Sequence, residues 1–200
     1  MRTRILGALL AGLAGAAAVQ SAEPASLPAL AGVYVNPAPA PIAEFTLTDQ
    51  AGKARAFSSL RGEPVLVFFG FTHCSNVCPM TMARLKALHG AQKGKLKAAR
   101  VVMISVDGER DSPAAMKAYL EPLSRDFIGL TGDPKATAKI AAGFAAVFFR
   151  EPAGKDGSYN VMHSTQVFAV DKSGRLRASF ADASIEDMAT ITKLLLDEPG

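Results

Sequence analysis

Two apolar runs constrain the fold of this chain more than any other feature of its sequence. Residues 65–69 and 101–106 are rich in Val, Ile, Met and Phe and show little polar alternation. Such runs predict strands that are buried on both faces at the centre of a sheet. Apolar residues at helical spacing follow each run, for example Met82, Leu85 and Leu88. Alternating strands and helices predict an α/β fold with a central sheet flanked by helices.

The N-terminal part has a different character. Arg2 and Arg4 precede a small and apolar stretch, which is typical of a signal peptide or an N-terminal membrane anchor, and we assign residues 1–22 to it. Frequent prolines predict an extended tether over residues 23–41, and one domain over residues 42–200 that begins with a hairpin. Without the first 22 residues the formal charge falls from +4 to +2, which does not favour nucleic-acid binding.

Cys74 and Cys78 are the only cysteines in the chain, and they follow the first apolar run. Two thiols cannot form a disulfide framework, so they are either a redox pair or two ligands of a metal. Sites in α/β sheets collect beyond the carboxyl ends of strands. Because Pro79 disfavours the α conformation for Cys78, we expect both cysteines on the loop before a helix. Cys78 is the better candidate for a thiol pKa lowered by the helix N-terminus.

A metal held by two thiolates needs a further donor, and the chain offers His73, His89 and His163. His73 should point away from its neighbour Cys74, and His89 should cap or solvate a helix end. His163 precedes a predicted strand and could reach the cysteines, although spacing alone leaves its role open. Two sulfurs and one nitrogen suit Cu(I), whereas structural zinc usually takes four protein ligands. Met162 is a candidate thioether donor.

Three motifs in order along the chain resemble the Sco/SenC family. They are residues 70–79 with both cysteines, residues 104–113, and residues 162–165 around His163. Members of that family are membrane-tethered or periplasmic copper proteins that assist assembly of the CuA centre of cytochrome c oxidase. The resemblance implies a thioredoxin-like fold with Cys74, Cys78 and His163 as copper ligands.

The same resemblance places Asp107 and Asp111 in an acidic segment close to the copper site. They can also be interpreted as a strand end and a helix cap, and for Asp111 we favour the helix cap. The chain departs from the usual family residues at four positions. The family commonly has Pro and Asp where Ser75 and Asn76 stand, and it often has Pro in place of Gly108 and Asp in place of Met162. Loss of carboxylates beside the metal should reduce the negative charge there.

The function implied by the resemblance is that of a copper metallochaperone. Its expected partners are the CuA-bearing subunit of cytochrome c oxidase and a thiol reductase that keeps Cys74 and Cys78 reduced, with another copper chaperone as a further candidate. The expected location is the periplasm, either free or anchored to the inner membrane through the N-terminal segment. We expect a role in binding and transfer, with thiol–disulfide reductase activity as an open alternative.

Two enzyme classes compete with this interpretation. A thiol–disulfide oxidoreductase would use Cys74 and Cys78 as its redox pair. Such enzymes usually have two residues between the cysteines and a later proline facing them, whereas here the spacer is three and no proline lies between Pro152 and Pro199. A peroxidase of the peroxiredoxin type would explain Cys78 and Pro79, but its upstream proline is replaced by Phe71.

Overall fold

A computed structural model describes residues 25–199 of the chain. The described residues form ten strands: β1 (Val33–Val35), β2 (Thr46–Asp49), β3 (Ala54–Ala56), β4 (Val65–Gly70), β5 (Arg100–Ser105), β6 (Ile128–Thr131), β7 (Phe148–Arg150), β8 (Val161–His163), β9 (Val167–Val170) and β10 (Leu176–Phe180). They also form four α-helices: α1 (Val77–Gly90), α2 (Pro113–Leu120), α3 (Pro134–Gly143) and α4 (Ile185–Asp197). Two 3-10 helices, Phe57–Leu60 and Ala91–Ala98, complete the regular structure of this part.

Eight strands form one mixed sheet in the order β1-β10-β9-β4-β5-β6-β2-β3. Strands β4, β5 and β6 are parallel neighbours, and the other neighbouring pairs are antiparallel. Val67 of β4 pairs with Val102 on one side and with Phe168 on the other. Every residue of β4 is buried. The sequence-based expectation that residues 65–69 form a central strand is therefore confirmed.

Helices flank the sheet and cover its apolar side chains. Helix α1 contacts α4, and α2 packs against β6. The predicted stripe of Met82, Leu85 and Leu88 on α1 is fully buried. Each such side chain stabilises the fold by about 1.5–3 kcal/mol relative to an exposed one. The mixed α/β class with a central sheet is thus the observed fold, and the expected N-terminal hairpin is formed by β2 and β3.

The N-terminal boundary of the folded part differs from the sequence-based expectation. Strand β1 lies inside the segment expected to be a tether, residues 23–41, and pairs with β10 at the edge of the main sheet. Pro41 also forms a bridge with Arg175. The sheet therefore starts before residue 42, because an exposed edge strand offers unpaired backbone groups to any nearby extended segment.

Two findings concern the N-terminal segment and membranes. The predicted signal peptide or anchor, residues 1–22, lies outside the described residues. Among residues 25–199, no helix combines the length and apolar character that a membrane crossing requires.

Strands β7 and β8 form a separate antiparallel hairpin that is not part of the eight-stranded sheet. Phe148 pairs with His163, and Phe149 pairs with Met162. The sequence analysis placed His163 ahead of a predicted strand, whereas in the structure His163 is the last residue of a short strand, β8. This hairpin brings His163 to the carboxyl end of β4, although His163 lies 93 positions after Gly70.

Candidate metal centre

The site begins where β4 ends, at Gly70. A Cβ atom at this position would lie 2.6 Å from the Phe68 ring and 3.1 Å from Cys78 Sγ. The absence of a side chain therefore makes room for the sulfur against the end of the strand. This role of Gly70 was not predicted from the sequence, although the position of the glycine directly after the apolar run was an available signal.

Cys78 lies in the first turn of α1, and its side chain is fully buried. The expectation that both cysteines precede the helix is therefore wrong for Cys78. Pro79 itself fits in the first turn, which needs no N–H donor from a proline, and the conformational bias that it places on Cys78 does not keep that residue out of the helix. Cys74 lies on the preceding loop and is half-buried.

The two cysteines and one histidine meet in space. Cys74 Sγ, Cys78 Sγ and a ring nitrogen of His163 all lie within 4.8 Å of one another. Cys78 Sγ is 3.5 Å from His163 Nε2. Three ligands at about 2.0–2.3 Å from one metal ion would be about 4 Å apart. The arrangement is therefore close to the spacing that a shared ion requires.

The His163 ring is held by two kinds of contact. Nδ1 donates a hydrogen bond to the carbonyl oxygen of Ser164 at 2.9 Å, which leaves Nε2 as the free nitrogen facing Cys78. Phe68 and Phe71 both contact the ring edge to face, with centroids 5.8 Å away. Burial lowers the pKa of His163 below its ordinary value against the opposing effect of the Ser164 carbonyl, so the imidazole is neutral at pH 7.

The two thiols have pKa values shifted in opposite directions. Burial raises the pKa of the Cys78 thiol well above its ordinary value, and the negative charges of Cys74 and Asp111 raise it further. Burial is also the largest influence on Cys74, but N–H groups at the start of α1 outweigh it and lower the pKa of Cys74. One of them is Cys78 N–H, which is 3.4 Å from Cys74 Sγ. The expectation that Cys78 has the lowered pKa is therefore wrong.

The centre is open to solvent on one side. A cavity of about 200 Å³ is lined by Cys74, His163 and Met162, with Asn76 and Asn160 among its polar groups. Met162 is 45% exposed. The thioether role suggested by the sequence stays a prediction for Met162, whereas Met82 belongs to the core as expected.

The other two histidines do not join the centre. His73 is half exposed, and its Nδ1 contacts Thr72 Oγ1 at 3.1 Å and lies 3.6 Å from Asp111 Oδ1. We expected His89 to cap a helix end or to be solvated there. The structure instead buries His89, and its Nε2 lies 2.9 Å from the Ala99 carbonyl oxygen. Its role is therefore to link the end of α1 to the start of the next strand.

Asp111 is not the cap of α2, so that interpretation is wrong. Ser112 accepts the capping hydrogen bond from Ala115 N–H, with Pro113 in the first turn. Asp111 is fully buried and accepts hydrogen bonds from the Thr72 backbone at 3.0 Å, the Thr72 hydroxyl at 2.6 Å and the Ser105 hydroxyl at 2.7 Å. Asp111 therefore fixes the start of the loop that carries Cys74.

Gly108 shows why one family residue is replaced here. A Cβ at Gly108 would lie 1.8 Å from the carbonyl oxygen of Gly132. This backbone approach excludes any larger residue, including the usual proline, unless the chain shifts. Gly108 thus accommodates a close contact between two loops near the acidic segment.

The chain resembles proteins of one known family over most of its length. The sequence model described as SCO1/SenC matches residues 35–196. Protein SCO2 homolog, mitochondrial, from Bos taurus is 29% identical over 149 residues, which is 74% of this chain and 56% of that protein. The chain spans about half the length of the first curated relatives that it matches.

Solved structures that match this chain are also Sco proteins. The structure of Bradyrhizobium japonicum ScoI with copper bound is 37% identical, with a TM-score of 0.71, and covers 78% of this chain and 100% of that one. BsSco, a member of the Sco family of cytochrome c oxidase assembly proteins with an identified disulfide switch, is 26% identical, with a TM-score of 0.69, and covers 82% of this chain and 99% of that one. From its fold, its motifs and the extent of these matches, the chain belongs to the SCO1/SenC family.

Proposed function

We propose that this protein binds copper through Cys74, Cys78 and His163 and delivers it to the CuA-bearing subunit of cytochrome c oxidase. The observation that carries the proposal is the meeting of three donor atoms within 4.8 Å, although His163 lies 85 positions after Cys78. Two sulfurs and one nitrogen form a soft set of ligands that suits Cu(I). The copper-bound ScoI of Bradyrhizobium japonicum supports this choice of metal.

The geometry supports transfer by ligand exchange. Cys78 is buried, whereas Cys74 and His163 line a cavity that opens to solvent. A three-coordinate ion has room for a fourth ligand, so a thiolate or imidazole of an acceptor can bind before Cys74 or His163 leaves. The cargo would then pass between proteins without being released to water.

Metal binding must displace protons from this site. The raised pKa of Cys78 keeps that thiol protonated at neutral pH, so an incoming cation exchanges with its proton. His163 presents a neutral Nε2 to the same ion. Formation of the complex therefore releases at least one proton, taken up by solvent.

The proposed setting is outside the cytoplasm. An exported location follows from the N-terminal segment expected at residues 1–22, through which the protein would be either secreted or anchored to the inner membrane. In an oxidising compartment Cys74 and Cys78 would lose two electrons and two protons to form a disulfide. A thiol reductase must then supply two electrons and two protons before copper can bind again.

A second function is supported by the asymmetry of the two thiols. Cys74 combines partial exposure with a lowered pKa, and Cys78 combines burial with a raised pKa. This is the arrangement of an attacking and a resolving cysteine in thiol–disulfide exchange. The protein would reduce a partner disulfide by transferring two electrons and would itself become oxidised.

The test separates the two functions. The reduced protein is loaded anaerobically with Cu(I), and the parent is compared with Cys74→Ser, Cys78→Ser and His163→Ala, with His73→Ala as the matched control. We expect one tightly bound copper in the parent and in His73→Ala, and about 10-fold or greater loss of affinity in the other three. Equal binding by His163→Ala and the parent would refute the ligand set.

Two reactions with a CuA domain are then measured in parallel, the transfer of copper to the domain and the reduction of its disulfide. Metal transfer by the parent supports the carrier. Rapid disulfide reduction by the parent and by His163→Ala, without transfer of copper, would favour the oxidoreductase, because exchange needs only the two cysteines.

A further inference from the structure

Polar contacts with one loop help to attach the hairpin that carries His163 to the rest of the protein, beside the apolar packing of Val161. Three hydrogen bonds join residues 148–163 to residues 107–110. Tyr159 Oη donates to Asp107 Oδ1 at 2.9 Å, Arg110 Nη1 donates to the Tyr159 carbonyl oxygen at 3.0 Å, and Arg150 Nη1 donates to Glu109 Oε2 at 3.0 Å. Because β7 and β8 do not pair with the main sheet, these contacts take the place of a strand ladder.

The Tyr159 ring lies between two guanidinium groups. Arg110 Cζ is 3.7 Å from the ring centroid, and Arg150 Cζ is 3.6 Å from it. Cation–π contacts at this range are attractive, and more strongly so when they are shielded from water. Arg110 also donates to Asp107 Oδ2, and the Asp107 side chain is only 4% exposed.

The same loop reaches the imidazole through an aromatic side chain. Phe71 contacts the His163 ring edge to face, with centroids 5.8 Å apart. Arg110 Cζ lies 5.8 Å from the centroid of the same phenylalanine. Arg110 therefore contacts both the hairpin that carries His163 and the ring against which His163 packs.

We propose that Asp107, Arg110 and Tyr159 form a clamp that positions His163 for the metal, so that they are positioning residues of the site. The inference rests on the proposed function, since it requires His163 to be a ligand. The clamp residues hold the hairpin at Tyr159, four positions before His163. Release of the hairpin would leave both cysteines in place and would displace only the nitrogen donor.

Loss of the clamp contacts should lower the metal affinity selectively. Outer contacts that orient a metal ligand typically change affinity by about 10–100-fold when they are lost. Tyr159→Phe removes the hydroxyl bond to Asp107 and keeps the stacked ring. Tyr159→Leu removes both contacts, so it should have the larger effect, while the eight-stranded sheet and its core stay unchanged.

The experiment is a double-mutant cycle read by Cu(I) affinity. Each full-length reduced protein competes anaerobically for Cu(I) with a chromophoric chelator. The proteins compared are the parent, Tyr159→Phe, Tyr159→Leu, His163→Ala, and each tyrosine variant combined with His163→Ala. Tyr34→Phe is the matched control, because Tyr34 lies in β1 and is 66% exposed. Thermal unfolding of the metal-free forms is recorded in parallel.

We expect Tyr159→Leu to weaken Cu(I) binding by about 10-fold or more in the parent, and by no more than about twofold when His163 is already absent. Tyr159→Phe should lie between the parent and Tyr159→Leu, and Tyr34→Phe should match the parent. Equal losses with and without His163 would overturn the clamp, because they would show a general loosening of the fold. Unchanged affinity in both tyrosine variants would overturn it as well.

The cycle also distinguishes failure of the clamp from failure of the metal site. If His163→Ala alone binds Cu(I) like the parent, the ligand set is refuted and the clamp with it. If His163→Ala loses affinity but Tyr159→Leu does not, only the clamp is refuted.

Discussion

Substitution of Gly70 by alanine is the most direct test of how the strand end shapes the metal centre. The new methyl group would lie 2.6 Å from the Phe68 ring, so the ring must retreat by about 0.8 Å to reach ordinary contact at 3.4 Å. Phe68 is fully buried and packs on His163. The same methyl group would press on Cys78 Sγ at 3.1 Å. Two of the three proposed ligands are therefore displaced by one carbon atom.

Two opposing effects determine how much the substitution changes the free energy of unfolding. Overpacking of the core destabilises the protein by about 1–3 kcal/mol. The reduced backbone freedom of the unfolded chain stabilises it by about 0.4–1 kcal/mol. The net loss should be about 1–2 kcal/mol, which corresponds to a melting temperature lower by about 2–8 °C for a chain of this size. Cu(I) affinity should fall by about 10-fold.

The assays are thermal unfolding of the metal-free protein and Cu(I) competition. Gly143→Ala is the matched control, because a Cβ at that helix end meets no atom within 4 Å. We expect the control to bind Cu(I) like the parent and to melt at the same or a higher temperature. If Gly70→Ala melts like the control and binds Cu(I) like the parent, then Gly70 is not needed to make room for Cys78 and Phe68 at the end of β4.

Two further predictions follow from the thiols. Cu(I) affinity should rise by at least about 10-fold for each pH unit between about pH 6.5 and 8.5. The raised pKa of Cys78 makes the metal displace the thiol proton throughout this range, whereas His163 is already neutral there. Chelator competition at several pH values measures the slope, and a flat profile would contradict a protonated Cys78 thiol. Iodoacetamide should modify Cys74 before Cys78 in the reduced metal-free protein, since Cys74 combines exposure with a lowered pKa; mass spectrometry of partly modified protein identifies the site, and equal modification would contradict the asymmetry.

The central sheet could be predicted because its signal is local. The runs that became β4 and β5 contain almost only apolar β formers, and two-sided burial is the only environment that suits them. Strand β8 has no comparable signal. Its three residues form a ladder with β7 across the intervening loop, so the strand depends on a pairing with another segment rather than on local propensity.

The ligands could be chosen from the sequence, but their electrostatics could not. The helix N-terminus favoured a lowered pKa for Cys78, the residue nearest to it. In the structure Cys78 turns into the core, and the N–H groups point to Cys74 Sγ. Likewise, Asp111 follows a strand and precedes a helix, as a cap would, yet its partner Thr72 lies 39 positions away. Such pairings are properties of the tertiary fold.

The independence of the β7–β8 hairpin from the main sheet has a consequence for how this protein can change through evolution. Met162 can be exchanged without disturbing the core, because its side chain is exposed and its strand lies outside the ladder of eight strands. Selection can therefore retune the coordination of the metal and the face shown to an acceptor at little thermodynamic risk. The cysteine side of the centre lacks this freedom, since Cys78 belongs to the core itself.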